Sequence, residues 1–416
     1  MKLLMISNFY PPYFKGGYEL RCRLHAKELA RRGHEVVILT SMWKAENKVV
    51  EDGIYRLLYL KEAVQDMALL PFAIQRRIGQ LKWALACRKN YRITTDIVKD
   101  FNPDAAYIWN MEDISIAPVL AVQDNSIPTV FRVNDYWLHR LRVEIGLEPN
   151  PLKRRFRAAI VGIRNWADVQ FDDMLVLSNW VKQRYLEVGF AEETMTVVLG
   201  GVPASSVLEP DELQELTIDD EVRLVYAGRL VPEKGVNVAL EAVAHLIKQD
   251  GRHTIHLDII GTGPDDYVRE LNDLVKKLGI EDHTEFVGFV QHQEVLKRFT
   301  TYHAALVPSL WEEPLGSAQT QAMARGLPVI ASDRGGIPET ISDGETGFLV
   351  PANDPQALAA AIKYVIENPE HVREIRHAAL KTVRERLTIH HEVDHAEAHL
   401  LTASRRKQDD VIQVRP

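Results

Sequence analysis

The segment GRLVPEKG, residues 228–235, puts an arginine, Arg229, and a lysine, Lys234, in one short loop after the apolar run VRLVYA. A guanidinium offers a planar fork of donors and an ammonium a mobile point charge. Together they suit a diphosphate better than a single carboxylate. Gly228 permits close backbone approach to a ligand. Further on, WEEPLGSAQTQAMARG, residues 311–326, places Glu313 before Pro314, Leu315, Gly316 and Ser317, with Gln321 eight residues beyond the glutamate. Proline favours the first turn of a helix, and small residues leave the free N–H groups of a helix start open to a ligand. Eight residues is roughly two turns at ~3.6 residues per turn, so the spacing predicts Glu313 and Gln321 on one wall of a site. The plainer reading makes Glu313 a capping acid and Gln321 a solvated helix residue. Weaker signals follow two other apolar runs. GTGPDD, residues 261–266, offers Gly261 and Gly263, and the end of TEFVGFV offers the backbone of Phe289 and Val290 to a flat base. Asp265 and Asp266 fit a helix start better than a metal site.

Such residues need strands to hold them, and the chain supplies strands in alternation with helices. KLLMIS near the start reads as a buried strand, and YELRCRLHAKELARRG reads as a helix with Leu20, Leu24 and Leu29 on one side and Gly33 as its stop. EVVILT is the next strand, so the stretch is a βαβ unit in a parallel sheet. AAYIWN, PTVFRV, MLVLS and MTVVLGGVP continue the pattern to residue 203. A polar, acidic stretch at 205–221 reads as a linker. VRLVYAG, IHLDIIG, TEFVGFV, AALVPS, LPVIAS and GFLVP form a second alternation. The expectation is an α/β chain with two doubly wound Rossmann-like domains, 1–204 and 222–387. Residues 388–416 form a polar C-terminal helix and tail that packs back on the N-terminal domain. In open α/β sheets ligands bind beyond the carboxyl ends of the strands, where Arg229, Lys234 and Glu313 fall.

The totals agree with two soluble domains. The chain has 416 residues, 46% hydrophobic and 26% charged. Cys22 and Cys87 lie in no metal-spaced cluster and read as reduced thiols of a cytoplasmic protein. No apolar run is long enough for a spanning helix, and the N-terminus reads as no signal peptide. The net charge of −8 is uneven: residues 1–200 carry 28 basic and 23 acidic side chains, +5, against 22 and 35, −13, for residues 201–416. The N-terminal half therefore suits an anionic partner. Two stretches concentrate the charge. Residues 72–92 hold Arg76, Arg77, Lys82, Arg88, Lys89 and Arg92 among Leu81, Trp83 and Leu85, and residues 153–166 hold Lys153, Arg154, Arg155, Arg157 and Arg164 beside Phe156 and Trp166. Each is either a basic amphipathic helix on an anionic membrane or a solvated helix packed on the core. No nucleic-acid reader motif accompanies them, so no nucleic acid is expected.

PPYFKGG, LARRGHEVVILT, LSNWVKQRY, YAGRLVPEKG, IIGTGP, FVGFV, PSLWEEPLG, QAMARGLPVIAS, GGIPE and DGETGFLVP occur in that order. Carrying them, the chain resembles the family 4 retaining glycosyltransferases of the GT-B fold along nearly its whole length. The resemblance implies two domains facing across a cleft, the N-terminal one for the acceptor and the C-terminal one for a nucleotide sugar. It implies that Arg229 and Lys234 neutralise the donor diphosphate and that Glu313 holds the donor sugar. Gly16 and Gly17 would bring backbone amides near phosphate or acceptor. Leu315, Gly316 and Ser317 would contact sugar hydroxyls and phosphate, and Gln321 the ribose, with Gly261 and Val290 also on the donor side. Asn110, Asn134 and Asp135, after two N-terminal strands, are expected to touch acceptor or sugar. Three positions depart from the family's pattern. Gln321 replaces a glutamate, which weakens the ribose bond by something like ~1 kcal/mol. Asn134 replaces a histidine and carries no proton near neutral pH. LGGVP, residues 199–203, replaces NGVD.

The implied reaction moves a hexosyl group, with retention, from a nucleoside diphosphate sugar to an acceptor hydroxyl in polysaccharide or glycolipid synthesis. UDP is the expected nucleotide by family frequency. No further cofactor and no metal is expected, since two cations can neutralise the diphosphate. The acceptor is a glycan or a lipid-linked sugar, met at the inner face of the plasma membrane if the basic helices lie on lipid. A nucleotide-sugar epimerase of the same fold and a catalytically silent sugar-nucleotide binder are the alternatives.

Overall fold

The computed structural model describes residues 1–45, 48–61, 72–112, 114–138, 169–215, 221–250 and 255–413. It separates into two units. Met1–Leu177, Val181–Val198 and Val393–Pro416 form the first, and Ser178–Trp180 with Leu199–Glu392 form the second.

The first unit holds β1 (Lys2–Ile6), α1 (Gly17–Arg31), β2 (Glu35–Ser41), β3 (Val49–Glu51), β4 (Ile54–Leu58), α2 (Phe72–Phe101), β5 (Ala105–Ile108), α3 (Ala117–Asp124), β6 (Thr129–Val133), β7 (Met174–Val176), most of α4 (Asn179–Glu187) and β8 (Met195–Val197). The strands lie in the order β3-β4-β2-β1-β5-β6-β7-β8. Every neighbouring pair is parallel except β3–β4. The β5, β6 and β7 strands are buried at every residue, as expected of a sheet covered on both faces. The β3–β4 hairpin is absent from the sequence reading, although its signal is present. Asp52 and Gly53 join the runs VVE and IYRLL and both have positive φ, 48° and 77°. The helix α1 also turns differently from expectation. Its buried side is Cys22, His25, Ala26 and Leu29, while Leu20 and Leu24 are only half-buried. His25 packs instead on the rings of Tyr107 and Trp109.

In α2, Lys82, Arg88, Lys89 and Arg92 are exposed, Leu85 is 48% exposed, and Ala86, Cys87 and Asn90 face the core. The side chains of Arg76, Arg77 and Leu81, and all of the second basic stretch at 153–166, lie outside the described residues. Among the described residues no helix is long and apolar enough to cross a membrane.

The second unit holds β9 (Val222–Ala227), α5 (Val236–Asp250), β10 (Ile255–Ile260), α6 (Asp265–Leu278), β11 (Thr284–Gly288), α7 (His292–Arg298), β12 (Ala304–Val307), α8 (Ala318–Ala324), β13 (Val329–Ser332), β14 (Phe348–Val350), α9 (Pro355–Glu367) and α10 (Pro369–Arg386). Its sheet is parallel throughout, ordered β11-β10-β9-β12-β13-β14. Counted within the unit that is 3-2-1-4-5-6, and the order reverses between β9 and β12, where this topology opens a crevice for a ligand. Leu224, Leu257 and Ile259 pack beneath α5 on one face, and Val225, Ile260 and Met323 lie in a second cluster on the other. The polar stretch after residue 203 is held to this unit by Leu208 N–H on Ala324 O, 2.9 Å, and by Arg384 on Glu209, 2.8 Å.

The last helix, α11 (Ile389–Gln413), belongs to the first unit from Val393 on. Val393, Ala396, Leu400 and Ala403 are its buried stripe. Arg32 meets both Asp394 and Glu397 at 2.7 Å, His34 Nε2 meets Glu397 Oε1 at 2.7 Å, and His399 Nδ1 meets Asp173 Oδ1 at 2.6 Å. Burial alone would push the Glu397 carboxyl up, but hydrogen bonds from His34 and Arg32 outweigh it and hold the group low. A carboxyl lower in the folded than in the unfolded chain adds stability above its unfolded value and loses it as the pH falls through the folded one. Hydrogen exchange of α11 amides, corrected for intrinsic rates, should therefore lose protection as the pH drops below the ordinary carboxylate value of 4.5. Glu397→Gln should flatten that step. A wild-type helix equally protected throughout the carboxylate range would refute the contribution.

Candidate active site

The carboxyl ends of β9 and β12 are sewn together by backbone contacts. Gly235 has φ +69°, and a Cβ there would lie 1.9 Å from Pro308 O, so only glycine lets the two loops approach this closely. Leu310 N–H donates to Glu233 O at 2.9 Å. Across the seam Lys234 Nζ hydrogen-bonds Glu313 Oε1, and Ser309 Oγ donates to the same oxygen at 2.6 Å. Glu313 is 5% exposed. Lys234 Nζ also stands over the Trp311 ring, 5.6 Å from its centroid. Arg229 differs from Lys234. Its carbonyl accepts from Tyr226 Oη at 2.7 Å, which fixes the backbone, while its side chain is exposed with no ion pair among the described residues. Burial first, then the Glu313 charge, pushes the Tyr226 hydroxyl far up, so it stays a donor. The switch point thus presents one cation fixed by a buried carboxylate and one free to meet an anion.

The stretch after Glu313 is not the helix that the spacing predicted. Helix α8 starts only at Ala318, and Gly316 has φ +80°. Pro314 is therefore not in a first turn, and Glu313 and Gln321 are not two turns apart on one helix. The cause lies further along the chain. Gly336 N–H donates to Glu313 O at 2.7 Å, and a Cβ on Gly335 or Gly336 would collide with the backbone of Glu313 or Pro314. Gln319 Nε2 also donates to Gly316 O at 3.2 Å. These contacts occupy carbonyls that a first helical turn would use. The two glutamates consequently part: Glu312 accepts from Gly335 N–H at 2.9 Å and meets Arg334 at 3.0 Å, while Glu313 turns to Lys234. Gln321 is half-buried and its side chain has no hydrogen-bond partner among the described residues. Within the same unit Ser178 Oγ donates to Pro314 O, and Glu339 accepts from the backbone of Asn179 and Trp180 at 2.7 and 2.8 Å. Gly261, φ +144°, receives the β9 loop: its Cβ would meet Gly228 O at 1.8 Å. Val290 is half-buried beside Phe289, which is 71% exposed.

The first unit has its own strand-end cluster. The order there reverses between β1 and β5, and Asn8 N–H donates to Asn110 O at 2.7 Å across that point. Asn110 Oδ1 accepts from Glu112 N–H at 2.9 Å. On the next strand end, Asp135 Oδ1 accepts from Trp137 N–H at 2.9 Å. Asn134 is buried, yet neither atom of its side-chain amide has a hydrogen bond among the described residues. An amide buried without partners costs about 1–3 kcal/mol, which a polar ligand atom would relieve. Gly16 caps α1, its N–H on Glu19 Oε2 at 2.9 Å, and a Cβ on Gly16 or Gly17 would meet nothing within 4 Å. Burial pushes the Glu19 carboxyl up, against hydrogen bonds from nearby backbone N–H groups.

The family model described as Glycosyl transferases group 1 matches residues 209–382, and the one described as Glycosyltransferase Family 4 matches residues 15–206. The chain belongs to glycosyltransferase family 4. It is 27% identical over 408 residues to a glycogen synthase of Mycobacterium tuberculosis, covering 93% of this chain and 90% of the relative. It is 31% identical over 197 residues to the amylovoran biosynthesis glycosyltransferase AmsK of Erwinia amylovora, covering 45% and 46%. The crystal structure of Anabaena HepE in complex with UDP superposes with a TM-score of 0.69 at 19% identity, covering 97% of this chain and all of that one. The fold is GT-B.

The residues that hold the charged pair of this glycosyltransferase are not among those expected from its sequence. Ser309 and Trp311 shortly precede Glu313 in sequence, and Ser309 is buried just after an apolar strand, a position where a hydroxyl needs a partner. That signal was available. The pair Gly335–Gly336 acts through non-local contacts that no spacing announces.

Proposed function

We propose that this glycosyltransferase moves a hexosyl group, with retention of configuration, from a nucleoside diphosphate sugar to a hydroxyl of a glycan or lipid-linked acceptor. The observation that carries the reading is the Lys234–Glu313 pair beside the unpaired Arg229 at the switch point of the second sheet. A diphosphate placed there meets two cations. UDP is the proposed nucleotide, supported by the UDP bound to HepE.

In the proposed step the bond from C1 to the diphosphate oxygen breaks and the acceptor oxygen bonds C1 on the same face. The acceptor proton passes to the departing diphosphate, which leaves as the nucleoside diphosphate. Arg229 and Lys234 stabilise the charge that grows on the leaving group, in a site already organised for it. Glu313, held by Ser309, keeps Lys234 aimed and accepts from a sugar hydroxyl. The amides of Leu315, Gly316 and Ser317 contact sugar and phosphate, Gln321 the ribose, and Gly261 and Val290 the nucleotide side. Gly16 and Gly17 serve the donor phosphates or the acceptor, Asn110, Asn134 and Asp135 the acceptor or the sugar, and the open amide of Asn134 supports that role. The exposed basic face of α2 supports peripheral attachment to anionic lipid.

The test incubates the full chain with UDP-, GDP- and ADP-hexoses, with and without oligosaccharide and lipid-diphosphate-linked acceptors. Nucleoside diphosphate release only with acceptor, and a product whose NMR spectrum keeps the donor's anomeric configuration, is the expected result. A changed sugar still on its nucleotide would instead mean epimerisation, and binding without turnover a silent binder. Gln321→Glu should tighten the donor about fivefold, the effect of about 1 kcal/mol; unchanged donor affinity would remove Gln321 from the ribose.

A further inference from the structure

On one face of the second sheet, within strands β10 and β11 rather than in the loops that carry Arg229 and Glu313, three ligand-bearing side chains converge. His256 and Asp258 are two residues apart on β10, hence on the same face. Glu285 sits on the edge strand β11, paired in register with Asp258. One ligand atom from each lies within 4.8 Å of the other two. Asp258 is 2% exposed, and its two oxygens are used differently. Oδ2 accepts from Arg223 at 2.8 Å and from the Tyr302 hydroxyl. Oδ1 is buried with no hydrogen bond, although His256 Nε2 stands 3.3 Å from it.

A buried carboxylate oxygen that no hydrogen bond reaches among the described residues, with only the His256 imidazole facing it, is unfavourable unless something cationic meets it. The spacing says what. Ligand atoms at about 2.0–2.1 Å from a tetrahedral ion lie about 3.3 Å apart, the separation found between His256 Nε2 and Asp258 Oδ1. An imidazole with two carboxylates suits zinc and its neighbours better than magnesium or calcium, which prefer oxygen alone. Arg223 and Tyr302 hold the far oxygen of Asp258, the usual support for a ligating carboxylate. We propose that His256, Asp258 and Glu285 bind a zinc-class divalent metal ion that clamps the edge strand β11 to β10. Water completes the shell on the exposed side of Glu285. The ion is structural: it steadies the strand that leads to Phe289 and Val290, and it takes no part in glycosyl transfer.

The full chain, stripped with a chelator and exchanged into clean buffer, is titrated with Zn²⁺ against a chromophoric chelator and melted with and without the ion. The expected result is one equivalent bound and a rise in melting temperature with Zn²⁺ but not with Mg²⁺. Co²⁺ should give the visible bands of a tetrahedral site. His256→Gln and Glu285→Gln should each weaken binding at least tenfold and abolish the bands. Asp258→Asn should do the same, and if it fails to fold, the other two variants carry the test because their side chains reach solvent. Zinc binding of equal strength in wild type and in the His256→Gln/Glu285→Gln double variant, or none in wild type, overturns the proposal.

Discussion

Replacing Arg229 by alanine is expected to cut kcat about a hundred- to a thousandfold at saturating donor while leaving the melting temperature in place. The side chain is exposed and has no ion pair among the described residues, so its removal should take little from the folded state. Lys234→Ala should lose activity as severely, but it should also lower stability by about 1–3 kcal/mol, because it leaves the buried Glu313 carboxylate with Ser309 alone. Lys234→Ala combined with Glu313→Gln should restore the stability and not the turnover. Steady-state kinetics and urea melts of the four proteins separate the two effects. If Arg229→Ala turned over at the wild-type rate, the diphosphate would not lie at the β9–β12 switch point and the functional reading would fail.

The largest effect on stability is expected from Gly261→Ala. Its φ of +144° is foreign to alanine, and the added carbon would sit 1.8 Å from Gly228 O, backbone that cannot swing away. A cost of about 3 kcal/mol or more is expected. Gly279→Ala is the matched control. That residue has φ +70° with nothing within 4 Å, so it should cost only the left-handed conformation, about 1 kcal/mol. Urea denaturation of both variants checks the difference, and equal costs would mean that the β9 and β10 loops relax freely. Gly17→Ala meets no atom and has no positive φ, so activity lost there would report on a ligand rather than on folding.

The strands were legible because strands buried on both faces, such as β5 and β13, read as unbroken apolar runs. The charged residues after them were legible because nothing in a core explains an arginine and a lysine at a strand end. The order of the strands was not, since it depends on pairings between segments far apart in the chain. The loop at 313–317 was misread for a related reason: helix propensity there yields to Gly335 and Gly336, about twenty residues on. Leucine spacing alone points to the wrong side of α1, because the structure buries Cys22 and His25, the latter against Tyr107 and Trp109. Asn134 was singled out as a departure from a family pattern. That its amide has no hydrogen bond could be learned only from its surroundings.

The last helix has a practical consequence for anyone dissecting the molecule. Because the chain from Val393 on completes the first unit, a fragment cut at residue 198 would expose the surface that Val393, Ala396 and Leu400 cover and strand the charges of Arg32, His34 and Asp173. The unit joins residues before 199 to a helix that comes far later in the sequence. It invites reassembly in trans: a peptide spanning residues 389–413, added to the truncated fragment, should fold onto it and restore its solubility.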